Sequence, residues 1–289
     1  MKKIAYFSLL MLFLFSCGKS PKTTPFSKNL VAYLIFMDVG FGNEINLWET
    51  EVQPKLNNLL NANLNPEPDT LPIQPMKVVV YPINHETEQK RTLLNYELDE
   101  AKYKQDAQYQ GLVQNQLDEI SDALQSNIFD SRNNAKIFKV LGTIDIINDE
   151  IQKLNEGDKL YVVYLSDMVE MSGIEAQENN GFFSFATKDS VNQYVMNALS
   201  VSRIKSGAEN GNLLAYNRPV PSLFDDRSVL RGIYVYRPNA INPIAQDGSL
   251  GGTYTDIMNF WKILFKKISN GKHSIRNFDN IKSLKFPNL

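Results

Sequence analysis

Leu30-Val31-Ala32-Tyr33-Leu34-Ile35-Phe36-Met37-Asp38 is the stretch on which the fold turns. Eight apolar residues follow one another without the alternation of a half-exposed strand, and a carboxylate ends the run. A strand of this kind is covered on both faces, which is the situation of a parallel sheet between helices. Three later stretches repeat the signal: Val78–Tyr81, Leu160–Leu165 and Gly232–Tyr236. Between them lie segments with apolar residues at steps of three and four. Ile45, Trp48, Val52, Leu56 and Leu59 follow the cap candidate Asn43, Ile144 to Leu154 form a second such segment, and Tyr254, Ile257, Trp261, Leu264, Phe265 and Ile268 form the last.

Alternation of strand and helix predicts an α/β fold, a Rossmann-like, doubly wound, mostly parallel sheet with right-handed crossovers. The stretch 61–76 contains Pro66, Pro68, Pro72 and Pro75 and reads as a loop. Glu86 to Ser126 is polar and helical in pattern, with Leu94, Leu98 and Ala101 on one face and Val113, Leu117, Ile120 and Leu124 on another. It reads as a helical insertion after the second strand. Its Tyr96, Tyr103 and Tyr109 are candidates for partner contact or for packing on the body. Ser190 to Ile204 reads as a further helix.

The chain has 289 residues, 43% of them apolar and 21% charged, so a large core is available. One Cys rules out an internal disulfide, and two His leave little for a histidine metal cage. A formal charge of -2 gives no electrostatic support for nucleic-acid binding.

Met1-Lys2-Lys3 is followed by a mostly apolar run to Ser16, too short for a membrane-spanning helix and suited to a signal-peptide apolar region. Leu14-Phe15-Ser16-Cys17 resembles the bacterial lipoprotein signal. The resemblance implies cleavage after Ser16, lipid on Cys17 and a place in the bacterial cell envelope. Removing Lys2 and Lys3 would take the net charge from -2 to -4. Residues 17–28 read as a flexible tether whose Lys19, Lys22 and Lys28 can rest on anionic headgroups. The tether has no acidic run, which favours the outer membrane with the body facing the periplasm. The expected organisation is a signal peptide over 1–16, a tether over 17–28, one α/β domain over 29–270 with its insertion at about 86–126, and a polar tail over 271–289 containing His273.

In an open parallel sheet, ligands bind beyond the carboxyl ends of the strands, where strand order reverses. Asp38 and Asp167 each follow a buried strand, and with a strand order of 3-2-1-4-5 those two strands are neighbours. Thr143, in Leu141-Gly142-Thr143, precedes a helix and can reach the same rim.

Asp38-Val39-Gly40-Phe41-Gly42, Gly142-Thr143-Ile144-Asp145 and Leu165-Ser166-Asp167-Met168 together resemble the von Willebrand factor A (vWA) domain and its metal-ion-dependent adhesion site. The resemblance spans roughly 28–270. It implies a vWA-like protein-binding domain in which Asp38, Thr143 and Asp167 hold Mg²⁺ or Mn²⁺, with support from Asn43 and Ser166. Gly40 and Gly42 stand where the family has serines, so two hydroxyl ligands are missing and any metal binding is expected to be weak. Each residue also has a structural role open to it. Asp38 and Asp167 can cap turns, and Thr143 can cap a helix.

The expected function is a non-catalytic, lipid-anchored envelope protein that binds another protein through this crevice. Two alternatives are a metal-dependent phosphoester hydrolase using the same aspartates and a small-ligand-binding lipoprotein. A haloacid-dehalogenase-type phosphatase needs a second Asp where the chain has Gly40. His85, next to the second strand, and the glycines Gly248, Gly251 and Gly252 show no catalytic motif.

Overall fold

The computed structural model describes residues 27–38, 44–64, 74–84, 90–99, 115, 117–119, 121–122, 126, 140–169, 187–188, 194–195, 228–238 and 253–287. The segment read as a signal and lipidation site, with Cys17, lies outside these residues. So do most of the tether, Gly40, Gly42, Asn43, His85, Tyr103 and Tyr109.

Strands β1 (Val31–Asp38), β2 (Met76–Ile83), β3 (Leu94–Leu98), β4 (Lys159–Leu165), β7 (Leu230–Arg237) and β8 (Ile275–Asn280) form one sheet in the order β3-β2-β1-β4-β7-β8. All neighbours are parallel except β2 and β3. This is the doubly wound order expected, with β1 central and β4 beside it. Every residue of β1 is buried. Its side chains alternate between two cores: Ala32, Leu34 and Phe36 enter one, Val31, Tyr33, Ile35 and Met37 the other. A polar residue inside β1 would face a covered surface on either side, so the uninterrupted apolar run is required.

Helices α3 (Gly142–Lys153) and α4 (Thr253–Ile268) cover the first face. The second face is covered by a helix in three parts: α1 (Glu44–Leu47), a π-turn (Trp48–Val52) and α2 (Gln53–Leu64). The π-turn has a local cause. Pro54 has no N–H to give to the preceding turn, and the chain widens just before it, so the Gln53 N–H reaches Trp48 O. Trp48, Val52, Leu56 and Leu59 still all reach the second core.

Several expectations are corrected. Leu94–Leu98 is a strand, not a helix: Leu94, Tyr96 and Leu98 are buried while Asn95 and Glu97 are exposed. Within the insertion, the described residues 115, 117–119, 121–122 and 126 are helical, and Leu117 is buried in the second core. Tyr96 packs in the body rather than offering a contact surface. The first loop begins later, because α2 runs to Leu64. Tyr194–Val195, inside the segment read as a helix, pairs as strand β6 with β5 (Thr187–Lys188).

The supposed tail is corrected too, because it is part of the fold. β8 extends the sheet, and the 3₁₀ turn Ile281–Ser283 leads Ile281, Leu284 and Phe286 into the second core. Side chains fasten this last segment to the sheet. Tyr33 Oη donates to Pro287 O at 2.6 Å, Tyr236 Oη to Lys285 O at 3.0 Å, and Lys55 Nζ to Ile281 O and Lys282 O at 3.1 and 3.0 Å. Burial, then Tyr161 and Tyr234, push the Tyr33 phenol far up, so it remains a neutral donor. His273 is half-buried rather than exposed. Burial, then Arg276 and Lys272, hold its pKa below the ordinary 6.5.

Candidate functional site at the strand ends

The strand order reverses between β1 and β4, and their register pairs Met37 with Leu165. The next residues, Asp38 and Ser166, therefore leave the sheet side by side. The Asp167 N–H donates to Asp38 Oδ2 at 3.3 Å, so residues 129 positions apart are bonded at one rim. Asp38 is 5% exposed and Asp167 1%. Two carboxylates gathered in a buried place repel one another unless donors or a cation meet them.

Donors do meet them. Asp167 Oδ1 accepts the Val169 N–H at 3.1 Å, and Ser166 Oγ accepts the Met168 N–H at 2.8 Å. These are two overlapping side-chain-to-backbone turns of the kind short polar side chains make. Between them Met168 takes a φ of +60°, the left-handed region that a residue with a long side chain rarely occupies. Such strain persists only where surroundings enforce it. Here the enforcing group comes from α4: Trp261 Nε1 donates to Met168 O at 2.8 Å. The Ser166 N–H donates to Tyr236 O at 3.1 Å, tying the same turn to β7. The rim of β4 is thus held from β1, β7 and α4 together.

Thr143 is placed differently from the expectation. α3 begins at Gly142, so Thr143 lies within its first turn, and the cap position, Leu141, makes no side-chain cap bond. The Thr143 hydroxyl lies 2.6 Å from Val140 O and 2.6 Å from Tyr164 Oη. Both residues are fully buried. Thr143 donates to the carbonyl, and the phenol, kept neutral because burial drives its pKa far up, donates to Thr143. This hydroxyl is committed to fixing α3 on β4.

Among the described residues, no group of three or more His, Cys, Asp or Glu side chains is arranged to hold a metal. Asp38 and Asp167 suit a hard cation in kind, but both also serve the turn. With Thr143 engaged elsewhere, most of an octahedral shell would fall to water. Sequence reasoning brought Asp38, Ser166 and Asp167 together, placed Met168 beside them as packing, and missed the parts played by Tyr164 and Trp261. Only Trp261 had a signal, its place on the apolar stripe of the last helix.

No family model matches the chain, and no curated protein matches it in sequence. Solved structures with similarity include the pilus adhesin SpaC from Lactobacillus rhamnosus GG in its open conformation. It is 12% identical with a TM-score of 0.39, and the match covers 89% of this chain and 29% of the adhesin. A second SpaC structure matches at 11% identity and the same TM-score. The TFIIH p34 N-terminal domain is 9% identical with a TM-score of 0.27, covering 81% of this chain and 96% of that domain. This chain spans under a third of the adhesin's length.

Proposed function

We propose that this chain is a lipid-anchored protein of a bacterial outer membrane, facing the periplasm, whose strand-end crevice binds another protein without catalysing a reaction. One observation carries the reading: the bond from Asp167 N–H to Asp38 at the point where strand order reverses. It marks a shaped, rigid rim where folds of this architecture place their ligands. The described polar groups there hold backbone in place, an arrangement suited to presenting a fixed surface. The left-handed Met168, held by Ser166 Oγ and by the Trp261 indole, fits the same purpose. Mg²⁺ or Mn²⁺ is a weak supplementary ligand of Asp38 and Asp167, bound largely through water.

Asp38→Asn tests this. The amide keeps an acceptor for the Asp167 N–H and removes the charge, so the fold is retained. Partner recovery by cross-linking in intact envelopes is expected to fall at least tenfold, with added Mg²⁺ raising recovery only for the unaltered chain. Equal recovery of the same partners from both, with unchanged melting, would end the case for the crevice.

A further inference from the structure

Residues 262–289 carry seven basic groups against the single acid Asp279, a net +6 in a chain whose total is -2, so the preceding 261 residues carry -8. The topology gathers part of this excess at one pole. Strands β1, β4 and β7 begin together there, Val31 opposite Lys159 and Leu160 opposite Leu230. β8 runs parallel to β7, so the end of α4 and the connection to β8 lie at that same pole.

Lys266, Lys267 and Lys272 are exposed on that connection, Lys28 is exposed just before β1, and Lys159 opens β4. Among the described residues, the acids of this pole are few, distant or already engaged: Glu150, near the end of α3, pairs with Lys77 and Lys153. Glu156 is exposed in the turn before β4. Asp158 is buried, and its carboxylate accepts from the Leu30 and Asn155 N–H groups at 2.8 Å each. Glu97 and Asp99 lie at the end of β3, four strand spacings from β7. That is about 19 Å, beyond the ~8 Å over which physiological salt screens charge. Lys266 and Lys267 also complement the dipole of α4, but this does not account for Lys28, Lys159 or Lys272.

The chain enters the body at this pole. Ten residues separate Cys17 from Ser27, a reach of at most ~36 Å. We infer that the pole where the strands begin docks on anionic lipid headgroups and turns the strand-end crevice away from the bilayer. The inference rests on the lipid-anchor reading of Cys17. Cation-rich surfaces gain about fivefold in partition per basic group near an anionic leaflet, and the gain fades with salt.

The full lipidated chain is placed on vesicles of phosphatidylcholine alone or with about a third phosphatidylglycerol, an anionic surface of the kind that attracts basic groups. Cys17 is the only cysteine, so an introduced thiol is labelled alone. A dye at Ser228→Cys, exposed before β7, reads the docking pole. One at Thr92→Cys, exposed before β3, reads the opposite pole.

A headgroup quencher is expected to reach the first dye several-fold more on anionic vesicles, and high salt is expected to abolish the contrast. The second dye should stay unquenched. Lys266→Glu with Lys267→Glu and Lys272→Glu should remove the docked population, with a small drop in melting temperature from the reversed charges at the end of α4 and the fold retained. Equal quenching on both vesicle types overturns the proposal, and is the outcome if these lysines meet an acidic protein instead. Docking that survives the triple reversal overturns it as well. The mass of the N-terminal peptide reads the lipid separately. If Cys17 carries none, salt-sensitive flotation of the same chain with anionic vesicles still decides docking.

Discussion

The two tryptophans offer a matched pair of substitutions, and they should behave differently. Trp48 and Trp261 are both fully buried, one in each core. Replacing either by Phe leaves a gap of roughly 40 Å³, which costs about 1 kcal/mol at ~24 cal/mol per Å³. The indole N–H separates them. That of Trp261 donates to Met168 O at 2.8 Å, whereas that of Trp48 meets no acceptor among the described residues. Trp261→Phe strands a buried carbonyl, adding about 1–3 kcal/mol. Trp48→Phe removes an unsatisfied donor, which offsets part of its gap.

Trp261→Phe should therefore destabilise by about 2–4 kcal/mol and Trp48→Phe by about 1 kcal/mol or less. Urea unfolding followed by far-UV circular dichroism and by the remaining tryptophan's emission measures both, because the chain has only two. Costs equal within about 0.5 kcal/mol, inside the usual spread of such measurements, would show that the α4 tie to the left-handed turn contributes nothing. A larger loss at Trp48 would refute the reasoning outright.

Acid stability should depend on Glu150. Burial pushes its carboxyl up, but hydrogen bonds and charge from Lys153 and Lys77 outweigh that and hold it below the ordinary 4.5. A lowered folded-state pKa contributes stability that is present above the unfolded value and lost as pH falls through the folded one. Glu150→Gln should flatten the decline in stability below about pH 4.5, and parallel curves for both proteins from pH 7 to 3 would contradict it. Gly232→Ala should cost about 1–3 kcal/mol, because the new Cβ would stand 2.7 Å from the Tyr234 ring, itself tilted against Tyr161. Tyr234→Thr in the same chain should recover most of that loss, whereas simple additivity in the double-mutant cycle would place the strain elsewhere.

How far each element could be read depended on how many neighbours decide it. β1 is bounded on both faces and both edges, so its composition alone declared its setting. From it came the strand order and the meeting of Asp38 with Asp167. β3 is an edge strand with one covered face, and Leu94 and Leu98 stand four apart, a spacing that satisfies a helix as well as a strand. Tyr96 at the midpoint breaks the tie, but only once β2 is there to pair with it. β8 was harder still, because Ile275 and Phe278 are its only apolar residues. Its place follows from β7 and from the tyrosines that fasten the segment after it. Thr143 shows the limit at the site. Its position beside the crevice was legible, but its hydroxyl's partner was not, since Tyr164 reads in sequence as one more apolar strand residue.

Parallel topology has a consequence for how the two poles can evolve and be tested. Each crossover returns the chain to the same end of the sheet, so the strands of the parallel part all begin at one pole and end at the other. The first strand, β1, is central, which puts Val31 at the beginning pole and Asp38, seven residues later, at the far one. About 23 Å of strand separates them, a distance over which charges in physiological salt no longer feel one another. A basic surface near the anchor and paired carboxylates at the crevice can therefore coexist without neutralising each other. Substitutions at sites this far apart, with no shared partner, act additively. Charge reversal on the α4–β8 connection should thus release the body from anionic lipid yet leave crevice binding intact, and Asp38→Asn should do the opposite. Loss of both functions from either substitution would mean that the poles are coupled through α4, whose middle holds the Met168 turn through Trp261 and whose last turn carries Lys266 and Lys267.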